Sequence, residues 1–279
     1  MAKITTIEVQ QNNKHRFNIF IDDQFAFGVS EQTLLFFTLH KGMEITPQQQ
    51  TKILKYDHFQ RLYSAGVNYI SYRMRSEKEV RDKLAKLLDV SEDETVINTQ
   101  QKMIELAIKQ LKSDGYINDT LYAQAFVEES LNVSGKGEFH IRRKLKEKGI
   151  AQEIVAQVLN EIDDDTQNDT ALQVATAFIK RQDVISSNAL RQKLSNHLMQ
   201  RGFSIQTVQT ILNQMDTSTI TKNENKNAIT IAQKAYNTYH NRYSGYDLWS
   251  KIKTYLLQKG YSFDAIDRAI KKLKEDYDS

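Results

Sequence analysis

The segment Ile141-Arg142-Arg143-Lys144-Leu145-Lys146-Glu147-Lys148-Gly149-Ile150 spells a helix and its ending, and the chain carries this pattern three times. Counted from Gly149, Gly202 and Gly260, position −4 holds Leu145, Leu198 and Leu256, and position −8 holds Ile141, Leu194 and Ile252. Steps of four keep these apolar residues on one helical face. A cation precedes each glycine (Lys148, Arg201, Lys259), which suits the negative end of a helix dipole. Glycine can take the left-handed conformation that closes a helix, and an apolar residue follows each one: Ile150, Phe203 and Tyr261. The glycines are 53 and 58 residues apart, longer than tetratricopeptide, ankyrin or HEAT periods, which leaves room for three helices per copy.

The flanking sequence supplies the other two helices. Ahead of each ending lie alternating anchors, Ala123 with Phe126, Ala175 with Phe178, and Ala232 with Tyr236. Behind it come Ile154 with Val158, Val208 with Ile211, and Ile266 with Ile270. A divergent earlier copy runs from about Gln60 to Ile117, where Ser76 and Glu79 predict a capping box before Val80, Leu84 and Leu88. It lacks the closing glycine and carries an acidic insertion, Ser91-Glu92-Asp93-Glu94. The polar stretches DDDTQND near residue 165 and TSTITKNENK near residue 222 read as linkers between repeats.

The first 30 residues differ in period. From Ile4 to Ser30 the alternation is two, placing Phe17, Ile19, Ile21, Phe25, Phe27 and Val29 on one face and Phe20 on the other, with QNNK and DDQ as turns. A three-stranded antiparallel meander follows from this. A short helix over about Glu31 to His40 should cover it, and Pro47 suits the first turn of a long helix. The expected fold is therefore mainly α: a small three-stranded β head, then tandem three-helix repeats in an elongated curved array. The boundaries are 1–46 for the head with its short helix, 47–117 for the long helix and first repeat, then 118–166, 167–221 and 222–279.

Composition agrees with helices and narrows the chemistry. The 279 residues contain ten glycines, one proline and no cysteine. Disulfides, thiolate metal sites and cysteine nucleophiles are thereby excluded, and a cytoplasmic location is expected. No run approaches the ~20 apolar residues of a membrane span, and the N-terminus MAKITTIEVQ resembles no secretion signal. The six histidines, at 15, 40, 58, 140, 197 and 240, have no spacing that puts two on one helical turn. Gly135-Lys136-Gly137 lacks the remainder of a phosphate loop and a preceding strand, so it reads as a loop before a helix. Asp163, Asp164 and Asp165 point in different directions and read as a solvated hinge. No metal, cofactor or catalytic constellation is expected. The aromatic residues, at helical spacing with aliphatic partners, read as core.

Charge distribution is more telling than the net +3. The second helix of each repeat is basic: six cations against three anions over 73–88, six against two over 136–148, three against none over 186–202, and three against one over 244–260. These segments carry +12, so the rest of the chain carries −9. Equivalent helices of a solenoid line up, and the segregation predicts a positive stripe. Residues 151–165 show the opposite sign, with five carboxylates and no cation.

Three segments resemble one family. Arg73-Met74-Arg75-Ser76-Glu77-Lys78-Glu79-Val80-Arg81-Asp82-Lys83-Leu84 looks like the basic capping-box segment of RecX proteins. Asp114-Gly115-Tyr116-Ile117-Asn118-Asp119 with Tyr122, Ala123 and Phe126 is similar to their boundary between first and second repeats. Gly137, Ile141, Leu145 and Lys148-Gly149-Ile150 match the second repeat. Motif order, spacing and period agree over residues 60–162, while the third and fourth repeats match by period and anchors only. With Phe25-Ala26-Phe27-Gly28-Val29-Ser30 in the head, the chain resembles the longer members. The resemblance implies a non-enzymatic, monomeric regulator that binds RecA filaments on single-stranded DNA and lowers their ATPase, strand exchange and growth. It also implies direct binding of single- or double-stranded DNA. The alternative reading is a general nucleic-acid binder that competes for DNA.

The cations expected to meet DNA phosphates or an acidic filament surface are Arg73, Arg75, Lys78 and Arg81 in the first repeat. In the second they are Lys136, Arg142, Arg143, Lys146 and Lys148. Arg191, Lys193, Lys251 and Lys253 form a further set.

Overall fold

The computed structural model describes residues 2–88, 94–182, 186–214 and 217–277, with the backbone alone at residue 94 and over 217–223. The acidic insertion at 91–94 therefore lies outside what is described of side chains. Among the described residues there are thirteen helices and one small sheet, and no helix is long and apolar enough to cross a membrane. Two compact units divide the chain: Met1–Tyr122 with Lys148–Ile150, and Ala123–Glu147 with Ala151–Ser279.

In the first unit, β1 (Ala2–Gln10), β2 (Asn13–Ile21) and β3 (Gln24–Ser30) form the antiparallel meander. Asp22 and Asp23, both at positive φ (47° and 63°), make the two-residue turn whose twist suits a hairpin. A two-residue β4 (Glu44–Ile45) adds to β1 beyond the three strands expected, giving the order β3-β2-β1-β4. The alternation expected for β3 holds for Phe27 and Val29, opposite Ile19 and Phe17, and fails for Phe25. A register shift after Ile19 pairs Phe25 with Phe20 on the other face, where the rings meet edge to face at 6.0 Å. The extra residue of the bulge, Ala26, reverses the side on which Phe25 emerges.

Helix α1 (Glu31–Phe36) is capped by Ser30 and stops short of the expected His40. Thr38 turns left-handed (φ 50°) and the Leu39 amide donates back to the Leu34 carbonyl, which sends Leu39 into the head core. The long α2 (Pro47–Ser71) starts with a Thr46/Gln49 capping box and Pro47 in its first turn. It serves both the head and the first repeat. Ile53 joins the head core with Ile4, Ile19 and Val29, and Leu62 packs with Val80, Leu84, Ile108 and Leu111 of α3 (Glu77–Ala85) and α4 (Glu94–Ser113). Gly66 lets α2 and α4 approach closely, since a Cβ there would lie 2.5 Å from Leu111 Cδ1.

Asp57, on α2, ties head to helix. Its carboxylate accepts from the Ser30 amide (2.6 Å), the Thr33 hydroxyl (2.9 Å) and the Arg16 guanidinium (3.0 Å). Burial opposes its ionisation, yet these donors hold its carboxyl below the ordinary value.

Helix α5 (Asp119–Asn132) leaves the first unit after Tyr122. The second unit then holds α6 (Glu138–Glu147), α7 (Gln152–Asn160), α8 (Asp164–Ile179), α9 (Ser187–Gln200) and α10 (Ile205–Gln214). It ends with α11 (Thr217–Tyr239), α12 (Gly245–Gln258) and α13 (Phe263–Tyr277). The helix-ending anchors Ile141, Leu145, Leu194, Leu198, Ile252 and Leu256 are all fully buried. Ala171 and Ala175 on α8, and Ala228, Ala232 and Ala235 on α11, are small enough to let those leucines approach. Neither expected linker is a loop. Asp163 caps α8 through the Thr166 amide (2.6 Å), and Asp164 and Asp165 form its first turn, where carboxylates complement the helix dipole. Residues 217–223 are helical backbone within α11.

Candidate nucleic-acid interface

The basic helices α3, α6, α9 and α12 are held by a recurring joint, in which the N-terminus of one second helix meets the Lys/Arg-Gly turn closing the next. In the first unit, Ser76 completes the expected capping box: its hydroxyl accepts from the Glu79 amide, and Glu79 accepts from the Ser76 amide. The same hydroxyl donates to the Lys148 carbonyl at 2.7 Å, and Lys148 Nζ donates to Glu79 at 2.6 Å. Gly149 is left-handed (φ 76°) and lies against the Lys78 stem, with 2.7 Å from a Cβ placed there to Lys78 Cβ. Asp119 accepts from the Glu77 amide (2.8 Å). Burial works against ionisation of both Glu77 and Glu79, but Lys112 and Arg81 on one, and Lys148 and the Ser76 amide on the other, hold both carboxyls below their ordinary values.

The second unit repeats the joint twice. Ser186 caps α9 and donates to the Lys259 carbonyl at 2.8 Å, while Asn188 donates to the Gly260 carbonyl at 3.2 Å. Before α6, glycine replaces serine: the Gly137 amide donates to the Arg201 carbonyl and the Phe139 amide to the Gly202 carbonyl, both at 3.0 Å. A Cβ on Gly137 would lie 2.4 Å from the Gly202 oxygen. Arg201 also donates to the Ser134 and Gly135 carbonyls, so Gly135-Lys136-Gly137 is a clamped loop before a helix. In each joint a donor at a helix start, a backbone amide or the capping hydroxyl, meets carbonyls that a helix end leaves without an intrahelical partner.

The joints sort the cations singled out from sequence. Arg81 is bidentate to Glu105 (2.9 and 3.0 Å) and also bonds Glu77 (2.7 Å), and Lys148 is paired with Glu79. Arg142 pairs with Glu138 (2.5 Å), Arg143 lies 3.9 Å from Glu147, and Lys253 pairs with Asp267 (3.0 Å). Arg191 donates to the Leu212 carbonyl, bracing α10. Arg75 stacks on Tyr69, 4.2 Å from its centroid, and Arg73 is 65% exposed at 4.0 Å from Glu79. Lys78 is exposed, with its stem against Gly149. Among the described residues, Lys136, Lys146, Lys193 and Lys251 pair with no carboxylate. Sequence reasoning missed Ser76, Ser186 and Arg201 as joint residues, although serine is the N-cap residue of three of the four basic helices and caps through its side chain in α3 and α9.

Among the described residues no three His, Asp or Glu side chains gather as a metal site. His197 stacks on Phe178 at 4.5 Å and accepts from Arg201 Nε. Burial and the adjacent Arg201 and Lys136 charges push its pKa down, which suits an acceptor role.

Comparison with known proteins assigns most of these elements. Models of RecX match in four segments: the Regulatory protein RecX N-terminal domain over residues 2–46, the first three-helix domain over 63–89, the second over 118–159 and the third over 223–270. The third-domain model thus falls on α11 to α13, with α8 to α10 between it and the second. The chain is 33% identical over 273 residues to "Regulatory protein RecX" of Bacillus velezensis, covering 98% of this chain and 99% of that protein. It is 31% identical to the Bacillus subtilis protein of that name, with the same coverage, and 33% identical to one from Listeria monocytogenes, covering 95% and 94%. A crystal structure of regulatory protein RecX superposes with a TM-score of 0.59 at 30% identity, over 77% of this chain and all of that one. RecX from Lactobacillus salivarius gives 0.50 at 31% identity, over 58% and 98%.

Proposed function

The chain belongs to the RecX family of regulatory proteins, and from that premise we propose that it is a negative modulator of the RecA recombinase. It binds the RecA filament on single-stranded DNA and limits ATPase, strand exchange and filament growth, acting in the cytoplasm without catalysis, metal or cofactor. The observation that carries this reading is the segregation of +12 onto the second helix of each repeat. Unneutralised lysines on those helices are complementary to phosphates or to acidic groups of a protein partner. Lys136, Lys146, Lys193 and Lys251 lead the proposed contacts, together with Arg73, Arg75 and Lys78. Arg142 and Arg143, on the same helix as Lys146, are balanced by Glu138 and Glu147.

Co-sedimentation tests the partner. The chain should pellet with RecA filaments assembled on single-stranded DNA and be recovered poorly with the same DNA alone. Equal recovery in both would favour a nucleic-acid binder that acts by competition for DNA, with affinity falling steeply as salt rises.

A further inference from the structure

The first unit carries a groove of about 500 Å³ lined by α2 and α4 alone, with no residue of a basic helix. On α2, Lys55 and Phe59 stand one turn apart with Tyr56 beside them, and on α4 Met103, Leu106 and Lys109 recur every three residues, so each helix gives the groove one face. Phe59 and Met103 are half-buried against the first-repeat core, whereas Leu106 is 52% exposed. From the head, Phe36 stacks on Tyr56 with ring centres 4.4 Å apart, and Phe36 is itself 65% exposed. Apolar surface thus continues from α1 across Tyr56 into the groove.

The charge of the groove is of one sign. Lys55 and Lys109 are exposed on it and, among the described residues, pair with no carboxylate. The described acids of α2 and α4 are engaged elsewhere, Asp57 by Arg16, Ser30 and Thr33, and Glu105 by Arg81. Asp114, just past the end of α4, accepts from the Tyr63 hydroxyl (2.7 Å) and from Gln110 (2.9 Å).

We propose that this groove docks an acidic, amphipathic segment of a partner protein, with aliphatic or aromatic side chains seated between α2 and α4 and carboxylates on Lys55 and Lys109. Exposed apolar surface that is concave calls for side chains to fill it, which a nucleic-acid backbone does not offer and a flat lipid surface cannot insert. Two lysines without counter-ions attract an acidic segment and repel a basic one. Segments held in such grooves present apolar anchors about one helical turn apart. The groove is separate from the cations proposed to face phosphates, so docking here needs neither DNA nor a RecA filament. Its failure leaves filament regulation standing.

The full chain, immobilised, is used to select from a phage-displayed library of random dodecapeptides. Recovered sequences should combine Asp and Glu with Leu, Ile, Phe or Met. A selected peptide, labelled and titrated by fluorescence anisotropy, should bind Leu106→Ser at least about fivefold more weakly, and the double variant Lys55→Glu, Lys109→Glu at least about tenfold more weakly. All three positions are exposed, so helical circular dichroism should be unchanged. The double variant Lys271→Glu, Lys272→Glu, an equal charge change on the exposed surface of α13, should bind as the wild type does. Selection of no acidic and apolar consensus, or equal affinity of the peptide for the wild type and the groove variants, overturns the proposal. Displacement of the peptide by excess oligothymidylate or by phosphatidylglycerol vesicles also overturns it, by assigning the surface to nucleic acid or lipid. A dimer of the wild-type chain that Leu106→Ser dissolves overturns it in favour of a second copy.

Discussion

The hydroxyl of Ser76 donates to the backbone carbonyl of Lys148, 72 residues further along the chain, while accepting the amide of Glu79 in its own helix. One buried oxygen therefore caps α3 and fastens it to the turn that closes the next basic helix. Ser186 does the same for α9 and Lys259, 73 residues on. Ser76→Ala removes both bonds and leaves the Lys148 carbonyl short of a donor, so it should cost about 1–3 kcal/mol. Urea unfolding gives the magnitude, and amide hydrogen exchange should show protection lost first around residues 77–79 and 148–150. Ser186→Ala should act alike at 187–189 and 259–261.

The closing glycines differ in what surrounds them. Gly202 and Gly115 are both left-handed (φ 89° and 79°), but a Cβ on Gly202 would lie 2.4 Å from the His140 backbone nitrogen, whereas one on Gly115 meets nothing within 4 Å. Alanine at either position carries the conformational penalty of about 1–2 kcal/mol. Gly202→Ala should cost at least about 1 kcal/mol more, because the Phe139 to Gly202 hydrogen bond must also give way. Thermal unfolding of the two variants compares them directly.

This contrast shows where the sequence was legible. The helix endings could be read because their apolar steps of four and their need for a positive φ are local demands. The capping box at Ser76 and Glu79 is local too. The joints were not legible, since a serine N-cap looks the same whether or not a carbonyl 72 residues away completes it. Asp163 to Asp165 were misread because the residues that solvate a loop also start a helix. Phe25 was assigned to the wrong face because a bulge at Ala26 leaves no mark in an alternating pattern. The basic helices were visible, but the partners of each cation were not: Arg81 is occupied by Glu105 from α4 and Lys148 by Glu79 from α3.

The buried Asp57 gives the head a defined acid response. Its folded carboxyl is held below the ordinary value, so its stabilisation is fully present above the unfolded pKa, about 3.9, and is lost as pH falls through the folded value. Asp57→Ala leaves Arg16 without its partner and should cost about 3 kcal/mol at neutral pH. Unfolding followed from pH 7 downward should show the wild type and variant converging below about pH 4.

Lys146 and Lys148 are two residues apart and should behave oppositely. Lys146 is exposed and pairs with no described carboxylate, whereas Lys148 is held by Glu79 at 2.6 Å. Lys146→Ala should leave stability unchanged and lower the slope of log affinity against log salt by about 1. Lys148→Ala should chiefly reduce stability. Charge reversal of Arg142, Arg143 and Lys146 together should weaken binding strongly with helical content intact, measured by anisotropy and circular dichroism.

RecA ATPase on single-stranded DNA, with and without this chain and at two DNA excesses, bears most directly on the regulatory role. Inhibition should be substoichiometric to DNA and persist at the higher excess, because the target is the filament. No inhibition, or inhibition fully relieved by added DNA, would contradict it.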